Sequence, residues 1–117
     1  MSYAIVDARA VTPAPGPHPA ASPHDKGIGA KLGVRAFGVY QVELPPGTQS
    51  VEHDHAGDNA EDLYAVIGGS GNVVVDGEEV PVRPGVFVAV TPESTRSVHA
   101  GDAGLVYIAV CAPQAGL

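Results

Sequence analysis

Tryptophan is absent from this 117-residue chain, and cysteine and methionine occur once each. A single cysteine, Cys111, rules out an internal disulfide and a thiolate zinc site, and it fits a reducing compartment. Basic residues are scarce too: six Lys and Arg stand against thirteen Asp and Glu, a formal net charge of −7. No Lys/Arg cluster offsets that sign, so a phosphate backbone would be repelled, which argues against nucleic acid as a partner. No apolar run approaches the roughly 20 residues that span a bilayer. The opening "MSYAIVDARAV" has neither the basic start nor the sustained apolar run of a signal peptide. The expectation is a soluble cytoplasmic chain with no membrane partner. Its length suits one domain, and a chain of this size buries roughly two thirds of its surface without staples.

The texture changes near residue 30. Residues 12–30, "TPAPGPHPAASPHDKGIGA", hold five of the eleven prolines. Regular hydrogen bonding cannot persist there, so residues 1–30 read as an extended arm before a domain at 31–117. His18 and His24 lie in it and read as solvent-exposed, since a flexible arm is a poor place for a preorganised ligand; the lesser alternative is an arm folded over a pocket mouth. Residues 3–6, "YAIV", could add a short edge strand.

From residue 31 onward the pattern is all β. "VRAFGVYQVEL" alternates, with Tyr40, Val42 and Leu44 on one face. "PPG" stops it, "SVEHDH" starts a second strand and "DLYAVI" a third. "GGSG" reads as a turn into "NVVV", and Asp76-Gly77 as a hairpin turn before "EEVPV". "VFVAV", "TRSVHA" and "LVYIAVCA" follow, giving about eight short strands, turn signals every 8–12 residues and no amphipathic helix. That spacing supports a sandwich or barrel. Phe37 and Phe87 read as core, and Cys111 as a small buried hydrophobe.

The stretch "GTQSVEHDHAGDNAEDLYAVIGG" is similar to the first motif of the cupins, in which a glycine, five residues and His-x-His precede an acid, six residues and a glycine. Here Gly47 is followed by "TQSVE", His53-Asp54-His55, a longer gap, and then Glu61 or Asp62. The hairpin "GSGNVVVDGEEVPVRPG" resembles the link between the two cupin motifs, and "PGVFVAVTPESTRSVHA" the start of the second. The resemblance covers about residues 31–112. It implies a double-stranded β-helix, or jelly-roll barrel, that binds a small molecule, and a homodimer formed through a sheet face.

Alternate strand residues share a face, so His53 and His55 would project together into such a barrel. Each can give one nitrogen to an ion between them, and a carboxylate from the neighbouring strand completes a 2-His-1-carboxylate face with open positions. The bland alternative is two half-buried histidines hydrogen-bonded to Asp54, Asp58 or backbone. Neighbours on a strand point oppositely, so only one of Glu61 and Asp62 can face the barrel. The phase Asp62, Tyr64, Val66 favours Asp62, although Glu61 keeps the same count to a glycine. Tyr40 and Tyr64 are candidates for the wall of a binding site.

The second motif departs from the family. Aligned from Gly85, the family's last histidine ligand falls on Arg96, and a guanidinium has no lone pair to give. His99, three residues on, would lie on the other face. Two readings follow. In one, His53, His55 and Asp62 or Glu61 hold a divalent transition metal (Fe, Mn, Ni or Zn), and Arg96 orients an anionic substrate. The resemblance then implies dioxygenases, isomerases, epimerases and cyclases as precedents, and the fold selects none of them. In the other, Arg96 pairs with Asp62 or Glu61 and the barrel is a metal-free binder without catalytic activity.

Overall fold

The computed structural model describes residues 2–114; the last three residues assigned to the barrel, 115–117, lie outside the described residues. Six strands run β1 (Asp25–Lys26), β2 (Gly38–Leu44), β3 (Ala60–Val75), β4 (Glu78–Val82), β5 (Phe87–Val90) and β6 (Arg96–Pro113), with a 3-10 turn at Ala8–Ala10 and one short α-helix, α1 (Ile28–Leu32), before β2. All pairings are antiparallel.

β3 and β6 are the frame. They pair along their whole length, from Ala60↔Pro113 to Val75↔Arg96. One half of this long pair carries β5 beyond β3 and β2 then β1 beyond β6. The other half carries β4 beyond β3, while residues 48–53 lie beside β6. The double-stranded β-helix arises because both long strands pass from one sheet into the other. The bend needs glycine: a Cβ on Gly69, at φ +73°, would lie 2.0 Å from the Gly104 carbonyl oxygen, and one on Gly71 would lie 2.1 Å from that of His99. "GGSG" is therefore not the expected turn but a pair of register shifts inside one strand. Two long bent strands replace four of the short ones expected.

Asp76-Gly77 does turn the chain between β3 and β4, with φ of 49° and 81°. Both values are positive, as a tight hairpin turn requires. "SVEHDH" forms no ladder, only the bridge His53↔Arg96, with a second, Gln49↔His99, just before it. Residues 3–6 form no strand, and Tyr3 and Ile5 are exposed.

Inward-facing Val42, Leu44, Tyr64, Val66, Val73, Val98, Leu105 and Tyr107 fill the barrel. Burial of each such side chain contributes about 1.5–3 kcal/mol. Tyr64 and Tyr107 meet edge to face, 5.5 Å between ring centres. Phe37 and Phe87, expected in the core, are instead exposed. Phe87 pairs with Ala65, whose neighbours Tyr64 and Val66 are the buried ones, so its ring stands on the outer face. No helix among the described residues is long and apolar enough to cross a membrane.

The proline-rich segment is not a free arm. Asp25 and Lys26 pair with Val42 and Gln41 of β2, and Lys26 Nζ lies 2.6 Å from Glu43 Oε2 and 3.0 Å from the Ala8 carbonyl. Only two residues of ladder are needed, which leaves the prolines outside the hydrogen-bonded part. The segment lies across one opening of the barrel.

Candidate functional site

A cavity of about 240 Å³ opens beneath the arm. Gly16, His18, Ser22 and Asp25 close it from the arm side, and Tyr40, Ser50, His53, His55, Tyr64 and Cys111 face it from the barrel. No lysine or arginine lines it among the described residues.

His53 sits opposite Arg96 on the segment beside β6, and its Nδ1 lies 2.9 Å from the Val51 carbonyl. A carbonyl only accepts, so Nδ1 carries the proton and Nε2 keeps its lone pair. Burial, first of all, lowers the His53 pKa, and the positive Arg96 acts in the same direction. A neutral imidazole is the form that ligates metals.

His55 is buried between two carboxylates. Its Nδ1 is 3.0 Å from Asp58 Oδ1 and its Nε2 is 3.3 Å from Asp62 Oδ2. A ring nitrogen and a carboxylate oxygen at that separation need an electropositive centre between them, either a ring proton or a metal ion. His53, His55 and Asp62 each offer one ligand atom, and these atoms lie within 4.8 Å of one another. The donor set fits a borderline divalent ion.

Strand phase separates the two acids. Asp62 is buried with Tyr64 and Val66, while Glu61 is exposed on the outer face with Leu63 and Ile67. Glu61, the other candidate ligand, is therefore directed away from both histidines. Asp62 Oδ2 accepts from Arg96 Nη1 at 2.6 Å and from the Tyr64 hydroxyl at 3.0 Å. Burial and then the Asp62 charge raise the Tyr64 pKa well above its ordinary value, so this hydroxyl stays a donor. Tyr40 is half-buried on the wall, and its hydroxyl makes no hydrogen bond among the described residues.

Arg96 pairs with Asp62, one of the two roles expected of it. It is fully buried and is not among the residues facing the cavity. Nη1 serves Asp62, Nε gives to the Ser94 carbonyl at 3.2 Å, and Nη2 gives to the Thr91 carbonyl. A guanidinium engaged in this way is beyond reach of an anionic substrate. Its partner is the protein's own acid.

His18 is exposed, as expected, yet it lies close to both barrel histidines. Its ring centre is 5.3 Å from that of His55 and 5.8 Å from that of His53. Sequence carried no local signal for this, because the approach depends on how the arm crosses the barrel. His24 is part-buried. Cys111 is half-buried beside Asp62, and its thiol is pushed up to about 12 by burial and then by that carboxylate. At neutral pH it is an inert wall group.

The sequence profile of the cupin domain matches residues 40–111. Solved structures share the fold. A cupin protein from Bacteroides fragilis is 20% identical, with a TM-score of 0.72, over 80% of this chain and 79% of its own. A Cupin 2 conserved barrel domain protein from Salinispora arenicola is 25% identical, with a TM-score of 0.59, over 67% and 64%. KdgF from Halomonas sp. is 18% identical, with a TM-score of 0.61, over 68% and 71%. Among curated proteins, none matches the chain.

Proposed function

The chain belongs to the cupin family, and from that premise we propose that it binds a small organic molecule in its barrel beside a divalent transition ion held by His53, His55 and Asp62. The single observation that carries this reading is the convergence of those three donors within 4.8 Å at the wall of the cavity. Held by these three residues, an ion would supply Lewis acidity toward an oxygen of the guest.

The rest is done by side chains. Tyr40 gives the guest a free hydroxyl, and the Tyr64 hydroxyl orients Asp62. Tyr107 and Val42 supply apolar wall, and the arm lines the remaining side. With Arg96 consumed by Asp62 and no lysine or arginine on the wall among the described residues, an anionic guest would find a fixed positive charge only at the ion. An uncharged molecule suits the cavity better. Leu63, Ile67 and Phe87, exposed on the outer face of one sheet, support pairing of two copies there.

The Arg96–Asp62 pair favours a second reading, a metal-free binder. A guanidinium 2.6 Å from the only carboxylate of the inner set neutralises the charge that an ion would need. Elemental analysis of protein purified without a histidine tag separates the two. Near-stoichiometric transition metal supports the metal centre; none supports the binder.

A further inference from the structure

A second convergence of donors lies at the cavity mouth and shares only His55 with the site above. His18 from the arm, His55 and Asp58 each offer one ligand atom, all within 4.8 Å of one another. We propose that these three residues form a divalent-ion site that fastens the arm over the cavity. The proposal rests on the cupin-cavity reading in one respect, that His55 belongs to both donor sets.

Each member is placed by its own backbone. His18 Nδ1 accepts the Ala20 N–H at 3.0 Å, so the ring's one lone pair is on Nδ1 and binding an ion exchanges this hydrogen bond for the metal bond. Asp58 lies in the turn after His55, where the N–H groups of Asp58 and Asn59 give to the His55 carbonyl at 3.3 and 2.8 Å. One of its oxygens, Oδ1, accepts the Ala60 N–H at 3.2 Å. The arm is anchored without any ion, by the pairing of β1 with β2 and by Lys26 against Glu43. His18 therefore arrives with most of its ordering cost already met by other contacts.

Charge favours this outer set. The inner carboxylate, Asp62, is neutralised by Arg96, whereas Asp58 has no lysine or arginine partner among the described residues. An ion at the mouth meets a carboxylate held by the His55 imidazole and a backbone N–H and not by a fixed positive charge.

The chemistry of His55 also fits. With Nδ1 on an outer ion, Nε2–H donates to Asp62. With Nε2 on an inner ion, Nδ1–H donates to Asp58. Each carboxylate serves as the orienting acceptor for the other site, the arrangement that metal-bound histidines commonly use. A neutral imidazole has one lone pair, so the two sites compete and the chain takes one ion. Two imidazoles and a carboxylate suit zinc, cobalt or nickel.

The test is a zinc titration of the tag-free full chain, with trypsin cleavage at Lys26 as a second readout. Lys26 is buried while the arm is closed. Wild type is expected to bind one equivalent, and zinc to slow that cleavage. His18→Gln, a change in an exposed residue, should weaken binding by at least about tenfold, the scale of losing even an outer-shell partner, and should abolish the protection. Wild-type affinity in His18→Gln, with no zinc effect on cleavage of the native chain, overturns the mouth site. If His53→Ala loses zinc while His18→Gln keeps it, the inner centre stands and the mouth site fails. If His18→Gln loses zinc while His53→Ala keeps it, the mouth site stands and the inner centre fails. A wild-type chain that takes no zinc overturns both.

Discussion

His53 and Arg96 face each other across an isolated antiparallel bridge, each giving its backbone N–H to the other's carbonyl, at 3.0 and 2.8 Å. The bridge sets the guanidinium against the same inner cluster as the imidazole. It explains how a residue that cannot ligate comes to govern a ligand set: Arg96 holds Asp62, the acid that His53 and His55 would share with an ion.

Arg96→His removes a fixed positive charge beside the ion and supplies a lone pair in its place. Zinc affinity should rise by about ten- to a hundredfold at constant pH, measured by titration with folding checked by circular dichroism. Unchanged affinity in a folded variant would show that Arg96 does not stand where a ligand could.

Arg96→Met keeps the volume and strands Asp62 in the barrel. Loss of one partner of a buried ion pair costs about 3–5 kcal/mol, so denaturant unfolding should move to much lower midpoints. Tyr64→Phe removes one donor to the same carboxylate and should cost less, about 1.5–3 kcal/mol. Equal, small effects would place Asp62 in water.

The positions of the inner residues were readable in advance because they rest on period-2 geometry. Asp62 shares a phase with Tyr64 and Val66, and all three are buried, while Glu61 is exposed. The bends were not readable: Gly68 to Gly71 carry the same signal whether they form a turn or a pair of bulges. The approach of His18 to the two barrel histidines was not readable, because those neighbours are thirty-five residues and more away in sequence and are reached only through β1 pairing with β2. Phe87 was misplaced because aromatic character says nothing about which face of a strand is covered.

Gly69→Ala or Gly71→Ala would force a Cβ to about 2 Å from a facing carbonyl oxygen. Neither carbonyl can retreat without breaking the β3–β6 ladder. Destabilisation above about 2 kcal/mol is expected for each, whereas Gly57→Ala, with open space around it, should be near neutral. Similar midpoints for all three variants would contradict the bent-strand account.

The Lys26–Glu43 pair gives the arm a pH dependence. Lys26 holds the Glu43 carboxyl below the usual glutamate range. A folded-state value below the unfolded one means that the contribution is fully present above about pH 4.3 and fades as pH falls through the lower folded value. Trypsin cannot report at such pH, so arm closure is followed by hydrogen exchange at residues 14–26. Protection should decline below that pH in wild type, with a weaker decline in Glu43→Gln. Identical profiles would remove the pair from the arm's anchorage.

The metal centre itself is tested most directly by zinc titration of tag-free wild type against the His53→Ala/His55→Ala double variant at one pH. Wild type should bind one equivalent and the double variant none, with both chains folded. Equal binding by the two, or no binding by wild type, would contradict a metal centre built on these histidines.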